Sequence, residues 1–111
     1  MVRSIPVNLL IHSVVYYKRI GKTEYEEILY DSGIELKKVR VEPKHRIIKN
    51  TDGDDLQSQS ILFYDSVKSV PRDIDFNMND KITFNNKDYI ILAVNDFYDN
   101  KKLHHKEIAL G

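Results

Sequence analysis

The sequence predicts a small all-β or mainly β protein with at most one short helix. Three observations predict it. Apolar side chains recur at every second position in several short segments, the period of a strand with one face buried. Those segments are rich in Val, Ile, Tyr and Phe and are separated by Gly, Asn, Asp and Pro. The 111 residues contain no cysteine, so the core must come from packing alone, and the length suits one domain over residues 1–111.

The first expected strand runs over residues 9–19, with His12, Val14 and Tyr16 on one face and Val15 and Tyr17 on the other. Gly21 and Lys22 are expected to end it. Residues 23–30 (TEYEEILY) begin with Thr and carry Glu three positions on, a capping-box pattern. Tyr25, Ile28 and Leu29 suit an edge strand equally, and strand is the reading taken. Asp31-Ser32-Gly33 is a turn. Residues 34–42 then form a strand whose apolar alternation slips by one position at Lys37-Lys38, as a β-bulge produces. Pro43 is expected to close that strand, because it cannot donate to a ladder.

Residues 44–59 (KHRIIKNTDGDDLQSQ) form the longest polar stretch and are expected to be one long loop. Strand resumes at residues 60–66. In the final third, Ile82 and Phe84 alternate with Lys81 and Thr83, and Asn85-Asn86 supplies two residues that tolerate positive φ. A β-branched run returns over residues 89–94. Residues 96–102 read as a polar turn and residues 103–110 as the last strand. The count is six or seven antiparallel strands.

The chemistry in this pattern is sparse. Formal net charge is zero, with ten basic and six acidic side chains in residues 1–50 against seven and eleven in residues 51–111. Nucleic-acid binders draw affinity from neutralised phosphates and usually carry a basic surplus, which this chain lacks. An EF-hand starting at Asp52 would need Gly where Gln57 stands and Glu where Phe63 stands. His104 and His105 are strand neighbours that point to opposite faces, which argues against a shared metal. No nucleophile elbow or Gly-rich phosphate loop is present. These features point away from an enzyme and imply neither cofactor nor small-molecule substrate. The apolar patch over residues 5–11 is too short to span a bilayer, so a soluble protein made in the cytosol is expected. The aromatic residues on strands keep one alternative open, a small β-barrel that binds single-stranded nucleic acid. A metal-dependent enzyme is a second rival.

Four segments together carry a resemblance: IPVNLLIHSVVYY (5–17), KVRVEP (38–43), LFYDSVKSVP (62–71), and DKITFNNKDYIILAV with the following YD and KLHH (80–110). In this order they resemble the minor capsid protein family of tailed phages infecting Gram-positive bacteria. Asn79 and Asn86 stand where glycines would be expected in that pattern. The resemblance implies a small β-barrel in a phage or prophage virion, at the head–tail junction. There it would act as a head-closure, or stopper, subunit retaining packaged DNA. Its implied partners are portal or adaptor and tail-completion proteins and further copies of itself, in a ring matching the twelve-fold portal. An adaptor or tail-completion role is the neighbouring possibility. Within that reading the 44–59 loop is the expected contact element. His45, Arg46 and Lys49 would suit DNA phosphates, and Asp52, Asp54 and Asp55 a protein surface. Ile5 and Val7 are the expected N-terminal docking residues.

Overall fold

A computed structural model describes residues 7–49, 55–72, 74–99 and 102–111. After a 3-10 turn at Val7–Leu9 come β1 (His12–Tyr17), β2 (Arg19–Lys22), β3 (Ile28–Tyr30), β4 (Ile34–Lys49), β5 (Asp55–Asp65), β6 (Lys81–Phe84), β7 (Lys87–Asp99) and β8 (Lys102–Leu110). Six of these close into an antiparallel barrel in the order β1-β4-β5-β8-β7-β6, and β2 and β3 pair separately as a two-stranded hairpin. Closure removes the free edges that an open sheet of this size would carry.

The alternation read from the sequence lines the barrel. Val14 and Tyr16 of β1, Leu36, Val39 and Val41 of β4, Leu62 and Tyr64 of β5, Ile82 of β6, Ile91 of β7 and Ile108 and Leu110 of β8 make one buried cluster. Full burial of each such side chain contributes about 1.5–3 kcal/mol. Phe76, from the connection before β6, inserts among them with edge-on contacts at 5.1 Å to both Tyr16 and Tyr64.

The slip at Lys37-Lys38 is a bulge. His12 pairs with Val39 but Val14 with Leu36, so β4 spends one extra residue, and Lys38 sits at φ 57°. The freed backbone groups find partners in the turn after β5. Lys37 and Val70 exchange backbone hydrogen bonds at 2.8 and 3.1 Å, and the Ser69 hydroxyl donates to the Lys38 carbonyl at 2.5 Å. Asp65, fully buried, holds that turn by accepting from the amides of Val67 (3.0 Å) and Lys68 (2.8 Å). The Asn85-Asn86 turn also forms as read, with φ of 50° and 62°.

Five expectations are corrected. Residues 96–99, read as a turn, continue β7, and β8 already begins at Lys102. Gly21 and Lys22 do not end the first strand; they belong to β2. Residues 44–59 are mostly strand, because β4 continues to Lys49 and β5 begins at Asp55. Pro43 does not close β4. The Val41 amide points away from β5, to the His12 ring, and alternation sends the Pro43 nitrogen the same way, where no ladder bond is lost. Residues 23–30 hold a turn and the short β3: the Thr23 hydroxyl accepts from the amides of Tyr25 and Glu27, both at 3.2 Å, and Glu26 takes φ 67°.

The β4–β5 and β7–β8 hairpins both outrun the barrel. Ser60 pairs with Leu110 and Asp65 with His105. Residues 55–59 therefore extend past one end of β8, and residues 102–104 past the opposite end of β5. The molecule measures 49 × 31 × 26 Å, and a 16-residue strand such as β4 spans roughly 50 Å.

Candidate assembly interface

The β4–β5 arm is built by pairing between Arg46 and Ser58, Ile47 and Gln57, Ile48 and Leu56, and Lys49 and Asp55, after a register shift beyond Pro43. Two contacts fix its root. Buried Ser58 donates to the Lys44 carbonyl at 3.4 Å, and Lys87, at the start of β7, donates to Gln59 Oε1 at 3.2 Å. Of the residues that the sequence singled out, His45 is exposed on this arm. Arg46, Lys49 and Asp55 take the strand positions given above, and their side chains lie outside the described residues, as do Asp52 and Asp54. Val7 opens the 3-10 turn, with its side chain outside the described set, and Ile5 lies outside it altogether. Ile47 projects from the arm 73% exposed, a position the sequence reading did not mark.

The second arm carries Phe97 and Tyr98, 42% and 64% exposed. Phe97 stacks on His105 at 4.8 Å with the rings 3° from parallel. His105 Nε2 lies 3.0 Å from Glu107 Oε2, and its Nδ1 lies 2.6 Å from His104 Nδ1. Phe97 pairs with His105 but Tyr98 with Leu103, so β8 spends an extra residue at His104, and this register shift accompanies the meeting of two rings that simple alternation would separate. No group of three or more His, Asp or Glu suited to a metal occurs among the described residues.

The sequence reading also missed the carboxylate of Asp80, 2% exposed at the head of β6. It accepts from the Tyr16 hydroxyl (2.5 Å), the Arg19 amide (2.8 Å) and the Asn77 amide (3.0 Å), which ties β1, the root of β2 and the Phe76 connection together. Burial, then this hydrogen bond and the negative charges of Asp80 and Asp75, push the Tyr16 phenol well above its ordinary value. Its only signal in the sequence is an acid placed directly after the Asn-containing turn that precedes a strand. His12 is also perturbed: burial first, then the Arg40 guanidinium, lower its pKa, in keeping with a bare Nδ1 that accepts from the Val41 amide at 3.0 Å.

The site therefore offers two projecting arms, exposed apolar residues and paired charges held on a rigid barrel, an arrangement suited to contact with other macromolecules. Residues 6–110 match a family model described as minor capsid protein. No curated protein matches the chain.

Proposed function

The chain belongs to the minor capsid protein family, a family of structural proteins, and from that premise we propose that it is a head-closure subunit at the head–tail junction of a phage particle. The observation that carries this reading is the pair of arms leaving opposite ends of one closed barrel. A subunit placed between head and tail must contact material above and below it, and arms at both ends supply such contacts without distorting the core. The β4–β5 arm, on which His45 is exposed and Arg46, Lys49 and Asp55 take strand positions, reaches the channel or the adjoining ring of the connector. The β7–β8 arm, with Phe97 and Tyr98, addresses the other side. Portal or adaptor and tail-completion proteins are the partners in this account, with copies of the chain arranged as a ring on the connector.

Disabling the gene in the parent phage tests the proposal. Electron micrographs showing leaking or emptied heads beside separate, complete tails support head closure. Normal virions, with heads and tails joined, would refute it.

A further inference from the structure

Part of the outer face of β5 and β8 is buried, where a bare barrel wall would be wet. Ile61 and Ala109 are register partners, and alternation with the inward-facing Leu62, Ile108 and Leu110 turns them out of the barrel. They are nevertheless 1% and 2% exposed. Leu10, in the segment that leads into β1, is 5% exposed and also stands outside the inner cluster. Its neighbour Leu9 is tied to the same wall, because Nη1 of Arg40, an outward-facing residue of β4, donates to the Leu9 carbonyl at 3.2 Å. The segment before β1 therefore lies against the outside of the barrel as a strap.

Leu9 also lines a cleft of about 280 Å³, together with Arg40 and Glu42 of β4, Phe63 of β5 and His105 of β8. The Phe63 and His105 rings lie 6.4 Å apart and 30° from parallel, so two aromatic faces and a leucine supply its apolar surface. Its two charged residues are paired with each other, Arg40 Nε with Glu42 Oε1 at 2.6 Å. With that pair closed, the cleft calls for an apolar side chain. Apolar space of roughly 150 Å³ holds a benzene ring, so a branched aliphatic side chain has room here.

We propose that residues 4–6 of the same chain, which lie outside the described residues, continue the strap and seat the Ile5 side chain in this cleft, against Phe63 and His105. Ile5 stands four residues before Leu9, and four residues reach at most about 14 Å. Crossing from β4 over β5 to β8 takes roughly 10 Å at the spacing of paired strands, so the side chain arrives with length to spare. Pro6 disfavours helical backbone at Ile5 and favours the extended form that a strap laid across strands requires. Tethering selects this occupant over a neighbour's side chain. A short tether holds its end at an effective concentration on the order of millimolar, which a separate partner must exceed to compete. The contact gives Ile5 a partner within its own barrel and withdraws the cleft from the surfaces open to neighbours. It goes beyond the head-closure reading and does not depend on it.

Nuclear Overhauser spectra of the purified full chain, with isotope-labelled isoleucine methyl groups, test the contact. The expected result is cross-peaks from the Ile5 methyls to the ring protons of Phe63 and His105, with the Ile5 methyl signals shifted by those rings. A mixture of labelled and unlabelled chains separates contacts within a chain from contacts between chains. Cross-peaks confined to single chains support the proposal, whereas cross-peaks only between chains assign the cleft to a second copy and overturn it. Ile5 methyls at the positions of an unfolded chain, without cross-peaks, overturn it as well. In Phe63→Ala the Ile5 ring shift is expected to be lost while the Ile108 methyls, inside the barrel, keep their positions. Should that variant fail to fold, Ile5→Ala gives the same reading from the other side. It is expected to move the Phe63 ring signals and leave those of Ile108 in place, and unmoved Phe63 signals would refute the contact.

Discussion

Removing the Asp80 carboxylate should cost a large part of the stability of the barrel. Hydrogen bonds to a charged group contribute about 1.5–3 kcal/mol each. Asp80 accepts three of them, from Tyr16, Arg19 and Asn77, at 2% exposure. The three are not additive, because one loop shift relaxes several. Asp80→Ala orphans all three donors and should cost about 4 kcal/mol, a large share of the roughly 5–15 kcal/mol that holds a typical domain together. Asp80→Asn keeps one oxygen, but in either orientation its amino group faces a backbone N–H, that of Arg19 or that of Asn77. About 2–3 kcal/mol is expected. Tyr16→Phe keeps the ring among its core neighbours and loses one bond, about 1.5 kcal/mol, or a fall of ~6 °C in Tm for a domain of this size. Combining Tyr16→Phe with Asp80→Asn should then cost about 1 kcal/mol less than the sum of the two, since both remove the same bond.

The pH dependence follows from the raised phenol. The unfolded chain gives up this proton near pH 10 while the folded protein holds it to higher pH. The Tyr16 contribution is therefore complete below pH ~10 and declines as pH rises above it. Urea unfolding followed by circular dichroism at pH 7 and pH 10.5 measures both effects. Substitutions within 0.5 kcal/mol of the parent, full additivity of the pair, or an unchanged alkaline slope in Tyr16→Phe would refute the reasoning.

Further outcomes are expected elsewhere. His12 has a lowered pKa in the fold, so its contribution is complete above pH ~6.5 and is lost as pH falls through the folded value; His12→Asn should flatten the stability profile between pH 7 and pH 5 in the same unfolding assay. Lys38→Gly should raise stability by about 1 kcal/mol, because glycine pays no penalty at φ 57°, whereas Lys38→Val should lower it. Leu62→Ala, at a fully buried wall position, should cost about 2–5 kcal/mol in denaturant unfolding. Deleting residues 50–54, the segment between β4 and β5 in the sequence, should leave thermal unfolding unchanged within ~0.5 kcal/mol while reducing DNA retention in particles; unchanged retention would remove the segment from the mechanism.

Features set by neighbouring residues were legible in the sequence. The Asn85-Asn86 turn needs two tolerant residues at positive φ, and the Lys37-Lys38 slip changes the face of every later side chain in β4. The alternation in residues 12–17 and 103–110 likewise marked the barrel wall. The arms were not legible, because the apolar alternation that marks the barrel wall does not continue into their sequence. Residues 44–49 and 55–59 carry the polar composition of a loop yet are held by a ladder that only the partner strand supplies. Pro43 misled for a related reason: whether a missing N–H matters depends on which side the ladder lies. The Asp80 and Asp65 anchors depend on partners up to 64 residues away, a relation that spacing does not reveal.

A cryo-electron reconstruction of the intact particle tests the central claim most directly. The account predicts density for this barrel in a ring between portal and tail, with the residue 44–59 arm and the residue 95–104 arm directed to opposite neighbours. A barrel located in the capsid shell, or a complete neck in which no density fits it, would contradict the account.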